Sequence, residues 1–152
     1  MVREFRREYR FLSNFYPSNI SVPEIGNFMS VEHFYQSFKD PDNLEYQKEC
    51  RSFSSPGYIK RLSRTVNRRS DWDEVKIDIM TMGVELKFYQ NPVLSHKLVA
   101  TGDVLLQEGN TWGDVFWGVD LKTGKGENRL GQILMDVRQK VSLLYPLPSS
   151  EE

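Results

Sequence analysis

The sequence predicts a mainly α-helical domain with a small β element. Three observations carry this expectation. Apolar residues recur at helical spacing in several separate stretches, and the longest series, Trp72, Val75, Ile79, Met82, Leu86 and Tyr89, advances by alternate steps of three and four. Helix-starting residues stand ahead of most of these stretches: Ser30, Ser55-Pro56, Ser70 and Asn128. Segments with strand character are few and short.

Taken in order, Phe11-Leu12-Ser13-Asn14-Phe15-Tyr16-Pro17 is aromatic and reads as extended, turning at Pro17. Glu24 to Met29 reads as a second short strand that pairs with the first around Pro23. Ser30 caps a helix with Val31, Phe34, Tyr35 and Phe38 on one face, while Glu32, Gln36 and Lys39 share another stripe. Asp40-Pro41-Asp42 ends it, and residues 43–51 form a short polar helix.

The helix after Ser55-Pro56 turns Ile59, Leu62 and Val66 inward and covers the rest with Lys60, Arg61, Arg64, Arg68 and Arg69. Ser70 then caps the long helix, with Asp73 three residues on in a near capping-box arrangement. Asn91-Pro92 breaks that helix and starts a short one ended by Gly102. Val104 to Glu108 reads as a strand, Gly109-Asn110 as a turn, and Asp114 to Asp120 as a returning strand. Thr123-Gly124-Lys125-Gly126 is a glycine-rich loop. After it Asn128 caps a last helix carrying Leu130, Ile133, Leu134, Val137, Val141 and Leu144. Residues 147–152 read as a disordered tail, which leaves 1–146 as one domain.

Composition bounds the chemistry. One Cys and two His are too few for an internal disulfide or a closed zinc site. No apolar run is long enough to span a membrane, and the start, Met-Val-Arg-Glu-Phe-Arg-Arg-Glu, lacks the apolar stretch of a signal peptide. The net charge is −1, but residues 1–70 hold 12 basic and 8 acidic side chains and the remainder 8 and 13. That polarity hints at an anionic ligand near the first half. Nineteen aromatics fit either an aromatic core or a site for a flat ligand.

Several positions have chemical potential, each with a plainer alternative. Glu32 lies in the first turn of a helix, where the dipole favours an ionised carboxylate; it acts as a base or charge stabiliser, or serves the dipole alone. His33 points about 100° away and reads as structural. The segment Gly109 to Gly118 packs two Trp, one Asp and three Gly into ten residues, which suits ligand binding or a hairpin with aromatic packing. Gly124-Lys125-Gly126-Glu127-Asn128 leads into a helix start, a place for phosphate or simply a loop and cap. Trp72 belongs to the core by periodicity or faces a cleft by position, and Lys87 is a solvated lysine or a ligand contact. The basic run from Lys60 to Arg69 contacts phosphates or forms a solvated face.

Read together, these segments resemble one family. They are Phe11-Leu12-Ser13-Asn14-Phe15-Tyr16-Pro17, Val31-Glu32-His33-Phe34-Tyr35-Gln36, Lys87-Phe88-Tyr89-Gln90-Asn91-Pro92 and Leu98-Val99-Ala100-Thr101-Gly102-Asp103. They continue with Glu108-Gly109-Asn110-Thr111-Trp112, Asp114-Val115-Phe116-Trp117-Gly118 and Gly124 to Met135. Over roughly residues 5–145 the chain resembles the YbiA-like, or NADAR, family of N-glycosidases. The resemblance implies a single compact YbiA-like domain, mainly helical with a small sheet. It also implies a cytoplasmic hydrolase of N-glycosyl bonds that needs neither cofactor nor metal. Its substrate would be a phosphorylated nucleotide-like small molecule, either an early riboflavin-pathway intermediate or an ADP-ribose-linked base, the latter extending to ADP-ribosylated nucleic acid.

By the same resemblance the catalytic glutamate falls on Glu32 and a ring-stacking tryptophan on Trp72. The Asp-x-x-Trp-Gly motif falls on Asp114, Trp117 and Gly118. Lys87 matches the lysine before Phe, and Asn128 the asparagine of Gly-x-Asn-x-Leu-Gly, whose glycine is Gly126. Residue 113 is Gly where many relatives carry a larger polar side chain, which removes any side-chain contact there. Cleaving an N-glycosidic bond builds positive charge on the sugar. Glu32 would stabilise that charge and orient water, with Asp114 on sugar hydroxyls or assisting proton movement. Trp72 and Trp117 would wall the base, and phosphate would sit near Lys87 or near Gly126 and Asn128. The rival is a non-catalytic module that binds ADP-ribose or nucleic acid, using the Lys60–Arg69 segment as a basic platform.

Overall fold

A computed structural model describes residues 1–145, so the tail expected at 147–152 lies outside the described residues. The order is a 3-10 helix Arg7–Leu12, then β1 Ile20–Val22, β2 Gly26–Phe28, α1 Val31–Ser37, α2 Leu44–Ser52 and α3 Pro56–Leu62. There follow α4 Trp72–Gln90, α5 Pro92–Ala100, β3 Gly109–Asn110, β4 Val119–Asp120 and α6 Arg129–Ser142. The protein is mainly helical with two small sheets, as the sequence predicts. The described backbone gathers into two compact units, one of residues 14–91 and one of residues 1–13 with 92–145.

In the unit Asn14–Asn91, β1 and β2 pair antiparallel, with Ile20 opposite Phe28 and Val22 opposite Gly26. The expected hairpin around Pro23 therefore exists, but its first strand is Ile20–Val22. The segment Phe11–Pro17 is not extended. Its first two residues, Phe11 and Leu12, end the 3-10 helix and are both buried, and Ser13 N–H closes the last turn on Arg10 O. Two consecutive buried residues suit a turn, since a strand would send them to opposite faces.

Ser30 caps α1 by accepting from His33 N–H, and every residue of α1 is buried. Short helices surrounded by other elements bury all their faces. α1 packs against α2, α3 and α4, and Phe34 meets Phe28 edge-on at 5.6 Å between ring centroids. Asn43 and Ser55 cap α2 and α3 through their side chains. The basic run does not form one helix: α3 ends at Leu62, leaving Arg64, Arg68 and Arg69 on irregular chain. Ile59 is buried with Tyr46 and Cys50, and Leu62 and Val66 close over them, half-buried.

α4 departs from expectation twice. Its N-cap residue is Asp71, not Ser70, and Asp71 is clamped by the Arg69 guanidinium at 2.6 and 2.9 Å. Its buried face is Trp72, Ile79, Met80, Gly83, Val84, Lys87 and Phe88, while Met82 and Tyr89 of the predicted stripe are exposed. The helix is apolar on more than one side, and close packing chooses the side. A Cβ on Gly83 would stand 2.8 Å from Phe34 Cδ1, so this glycine lets the Phe34 ring approach α4.

In the other unit α5 packs on α6, burying Leu94, Leu98 and Val99 with Leu130, Leu134, Val137 and Val141. The expected strand Val104–Glu108 reduces to one parallel bridge between Leu106 and Val2. Gly109-Asn110 is a strand, not a turn, and it runs parallel to Val119–Asp120. No helix among the described residues is long and apolar enough to cross a membrane.

Candidate active site

Glu32 stands in the first turn of α1, where the helix dipole favours negative charge. It is 6% exposed. Its backbone N–H donates to Asn14 O, and its Oε1 accepts from Gln36 Nε2 at 2.7 Å. One helical turn brings the two side chains together. Gln36 is itself buried, and its Oε1 has no hydrogen-bond partner among the described residues. The amide is thus turned to serve Glu32 at the expense of its own acceptor, a cost of about 1–3 kcal/mol for a buried polar atom. Such an arrangement holds an acceptor carboxylate in one position.

Next along this stripe comes Lys39. Its Nζ lies 3.3 Å from Ser63 Oγ and 5.7 Å from the centre of the Trp72 ring. Burial lowers its pKa most, Glu32 raises it, and Arg68, Arg64 and Lys60 lower it further. Trp72 is 3% exposed, with its ring tilted on Tyr35 at 5.0 Å. Of the two alternatives for Trp72, the structure shows the packed ring. Lys39, on which the Glu32 charge acts, lies over its ring.

Lys87 is not a solvated lysine. It is 1% exposed, and its Nζ lies 5.2 Å from the Phe88 ring centre and 5.8 Å from that of Tyr16. Burial brings its pKa down to about 7. It lies fifteen residues beyond Trp72 on α4, about 22 Å along the axis, so the helix separates these two predicted contacts. His33 is structural, as expected. Its Nε2 donates to Phe53 O at 2.8 Å and its Nδ1 meets Ser30 Oγ at 2.6 Å. That pattern fixes the neutral tautomer with Nε2 protonated, and burial lowers its pKa.

In the other unit, Asp114 Oδ1 accepts from Phe116 N–H at 3.1 Å and Trp117 N–H at 3.0 Å. This turn sets the Trp117 ring, half-buried and edge-on to Phe116. The organiser that sequence reasoning missed is Asn110, 1% exposed. Its Oδ1 accepts from Asp114 N–H at 3.0 Å, and its Nδ2 donates to Asp114 O at 2.8 Å and Glu108 Oε2 at 3.2 Å. Only the crowding of Gly, Trp and Asp from 109 to 118 signalled this loop in the sequence.

The helix start at Gly126 and Asn128 is not an open anion site. The N–H groups of Glu127, Asn128, Arg129 and Leu130 donate to the carbonyls of Val115, Gly118, Phe116 and Trp117. The amides that would hold phosphate are therefore already paired. Asn128 does not cap with its side chain. Its Oδ1 accepts from Glu108 N–H at 3.0 Å and its Nδ2 donates to Leu106 O at 3.0 Å. Gly118 and Gly126 serve close backbone packing: a Cβ on Gly126 would fall on Gly118 O, and one on Gly118 would fall on Glu108. Motif residues 118, 126 and 128 thus build the loop that carries Asp114 and Trp117.

Known proteins resemble this chain in sequence and in fold. The NADAR domain family model matches residues 2–142. A riboflavin biosynthesis protein of Vibrio vulnificus is 40% identical over 133 residues, 86% of this chain, which spans only 35% of that protein's length. The N-glycosidase YbiA of Shigella flexneri is 36% identical over 139 residues, covering 90% of this chain and 84% of YbiA. Among solved structures, the NMR structure of the Escherichia coli protein YbiA matches with a TM-score of 0.82 at 30% identity, covering 100% of this chain and 92% of that one. The motifs, the helical architecture and the span of these matches place the chain in one family: it belongs to the NADAR domain family.

Proposed function

We propose that this chain is an N-glycosidase that hydrolyses the N-glycosidic bond of a phosphorylated, nucleotide-like small molecule. The observation that carries this reading is the Glu32 carboxylate, buried at a helix start and held by the Gln36 amide at 2.7 Å. Support comes from the relatives: YbiA of Shigella flexneri is named an N-glycosidase and the Vibrio protein a riboflavin biosynthesis protein. A riboflavin-type aminopyrimidine sugar phosphate is accordingly the first substrate to try, with ADP-ribosylated bases second.

As the C–N bond lengthens, its electron pair moves to the base nitrogen and positive charge grows on the anomeric carbon. A carboxylate fixed beside that carbon stabilises the charge without reorganising. Water then bonds to the carbon and Glu32 takes one of its protons; the departing base nitrogen takes a proton from solvent, and Glu32 returns its own to solvent, which closes the cycle. Products are a free base and a sugar phosphate with a hydroxyl at the anomeric position.

Glu32→Gln tests the reading. It keeps the size and the hydrogen-bonding capacity of the side chain but removes its charge. Release of free base, followed by chromatography and mass spectrometry, is expected to fall by about 100-fold or more with an unchanged far-ultraviolet circular dichroism spectrum. Base release at more than half the wild-type rate removes Glu32 from the chemistry. Saturable ligand binding with no base release from any substrate by the wild type returns the chain to the class of binding modules.

A further inference from the structure

Lys39 gathers positive charge around it. Arg69 N–H donates to Lys39 O at 2.7 Å, which folds the irregular chain after α3 back onto the end of α1. Lys39 Nζ reaches Ser63 Oγ at 3.3 Å, and that hydroxyl in turn donates to Lys60 O. Lys60, Arg64 and Arg68 are near enough for their charges to act on Lys39. The Glu32 charge acts on Lys39, and Asp73 makes a loose, exposed contact with Arg68 at 3.9 Å while its shorter ion pair, 3.1 Å, goes to Lys76. Arg69 is neutralised by its clamp on Asp71. Arg64 is exposed and has no ion-pair partner among the described residues.

Like charges held together cost stability, and a fold that keeps them near a buried carboxylate has use for a counter-charge. Lys39 follows Glu32 by seven residues, two past the end of α1, and the Glu32 charge still acts on it, so a sugar beside Glu32 and its phosphate beside Lys39 lie within reach of one small molecule. The two phosphate positions expected from the sequence are less suited. The α6 start has its amides paired, and Lys87 is enclosed between aromatic rings.

We propose that Lys39, Lys60, Arg64 and Arg68 form the subsite that receives the phosphate ester of the substrate. The proposal rests on the N-glycosidase reading for the position of the sugar, but it is tested apart from catalysis. A dianionic phosphate displaces the loose Arg68–Asp73 contact, and the two arginines can each present two parallel donors to it.

The probes are ribose 5-phosphate and ribose, titrated into the full chain by isothermal calorimetry at fixed ionic strength. Ribose 5-phosphate is expected to bind at least about tenfold tighter than ribose. In Arg64→Ala and Lys60→Ala this preference is expected to shrink to within about threefold, whereas Lys48→Ala on α2 retains it. Melting temperatures within a few degrees of wild type show that the variants are folded, and Arg64→Lys is expected to recover part of the preference. Equal binding of the two sugars by the wild type, or full preference in both alanine variants, overturns the subsite. A single-stranded oligonucleotide that binds tighter than ribose 5-phosphate through the same residues, with a steep salt dependence, also overturns it in favour of a nucleic-acid surface. If ribose 5-phosphate binds as expected while no glycoside is cleaved, the subsite stands and the N-glycosidase reading fails. If glycosides are cleaved and Arg64→Ala leaves KM unchanged, the reading stands and the subsite fails.

Discussion

Gln36 illustrates how a single amide can be committed to a neighbour. Its Nε2 donates to Glu32 while its Oε1 is buried without a partner among the described residues. An apolar side chain of similar shape would remove that orphaned oxygen, but it would also leave the buried Glu32 carboxylate without this donor. Gln36→Leu is therefore expected to lower stability by no more than about 1–3 kcal/mol, the cost of one buried polar group left without its donor, and to lower kcat for base release by about tenfold through loss of positioning. Equilibrium unfolding and steady-state kinetics on one preparation check both halves. A large loss of stability would make Gln36 a core residue and not a positioning one. The pair was legible in the sequence as a shared stripe, since residues four apart on a helix must meet. Asp114 was legible only in part. Its carboxylate could be found by motif, but not its work in fixing the backbone of Phe116 and Trp117, because an Asx-type turn leaves no periodic signal.

At the scale of the element, local rules served well where the chain obeys them locally. The side-chain caps at Ser30 and Ser55 lie where N-cap preference puts them. The rules failed where a partner distant in sequence decides. α4 carries apolar residues on more than one side, and it is the Phe34 ring, seated against Gly83, that selects the buried face. Propensity and packing make opposite predictions at this glycine. Alanine in a helix interior gains about 1 kcal/mol over glycine, whereas forcing a methyl to 2.8 Å from an aromatic carbon in a filled core costs about 1–3 kcal/mol. Packing is expected to win: Gly83→Ala lowers the melting temperature by a few degrees. A melting temperature above wild type would show that Phe34 can withdraw and that the α1–α4 packing tolerates it. The parallel pairing of β3 with β4 was illegible for a related reason. It is made by the backbone bonds Val119 N–H to Glu108 O and Leu121 N–H to Asn110 O, with the Asn110 side chain tying down the Asp114 backbone between them, and the short spacing from 109 to 120 reads in the sequence as a simple return.

For the molecule as a whole, two buried bases set the direction in which stability follows pH. Lys87 binds its proton up to about pH 10.5 in the unfolded chain but only to about 7 when folded. Between those values the unfolded state holds more protons, so stability rises with pH, and below about 7 the cost of enclosing the charge is fully present. His33 acts in the same sense lower down: burial depresses its pKa below 6.5, so stability is lost as pH falls below that value. The slope from either group is at most about 1.4 kcal/mol per pH unit. Urea unfolding at pH 6, 7.5 and 9 is expected to show stability increasing at each step. Lys87→Met keeps the length of the side chain and removes its charge, so at pH 7 it is expected to be more stable than wild type by about 1 kcal/mol or more. Its profile should be flat from 7.5 to 9 while the His33-dependent fall toward pH 6 persists. Loss of base release in that more stable variant would show that the buried lysine is kept for the reaction, at the expense of the fold. A wild-type profile without slope above pH 7, or a variant less stable than wild type at pH 7, would mean that the Lys87 ammonium is accommodated at no cost.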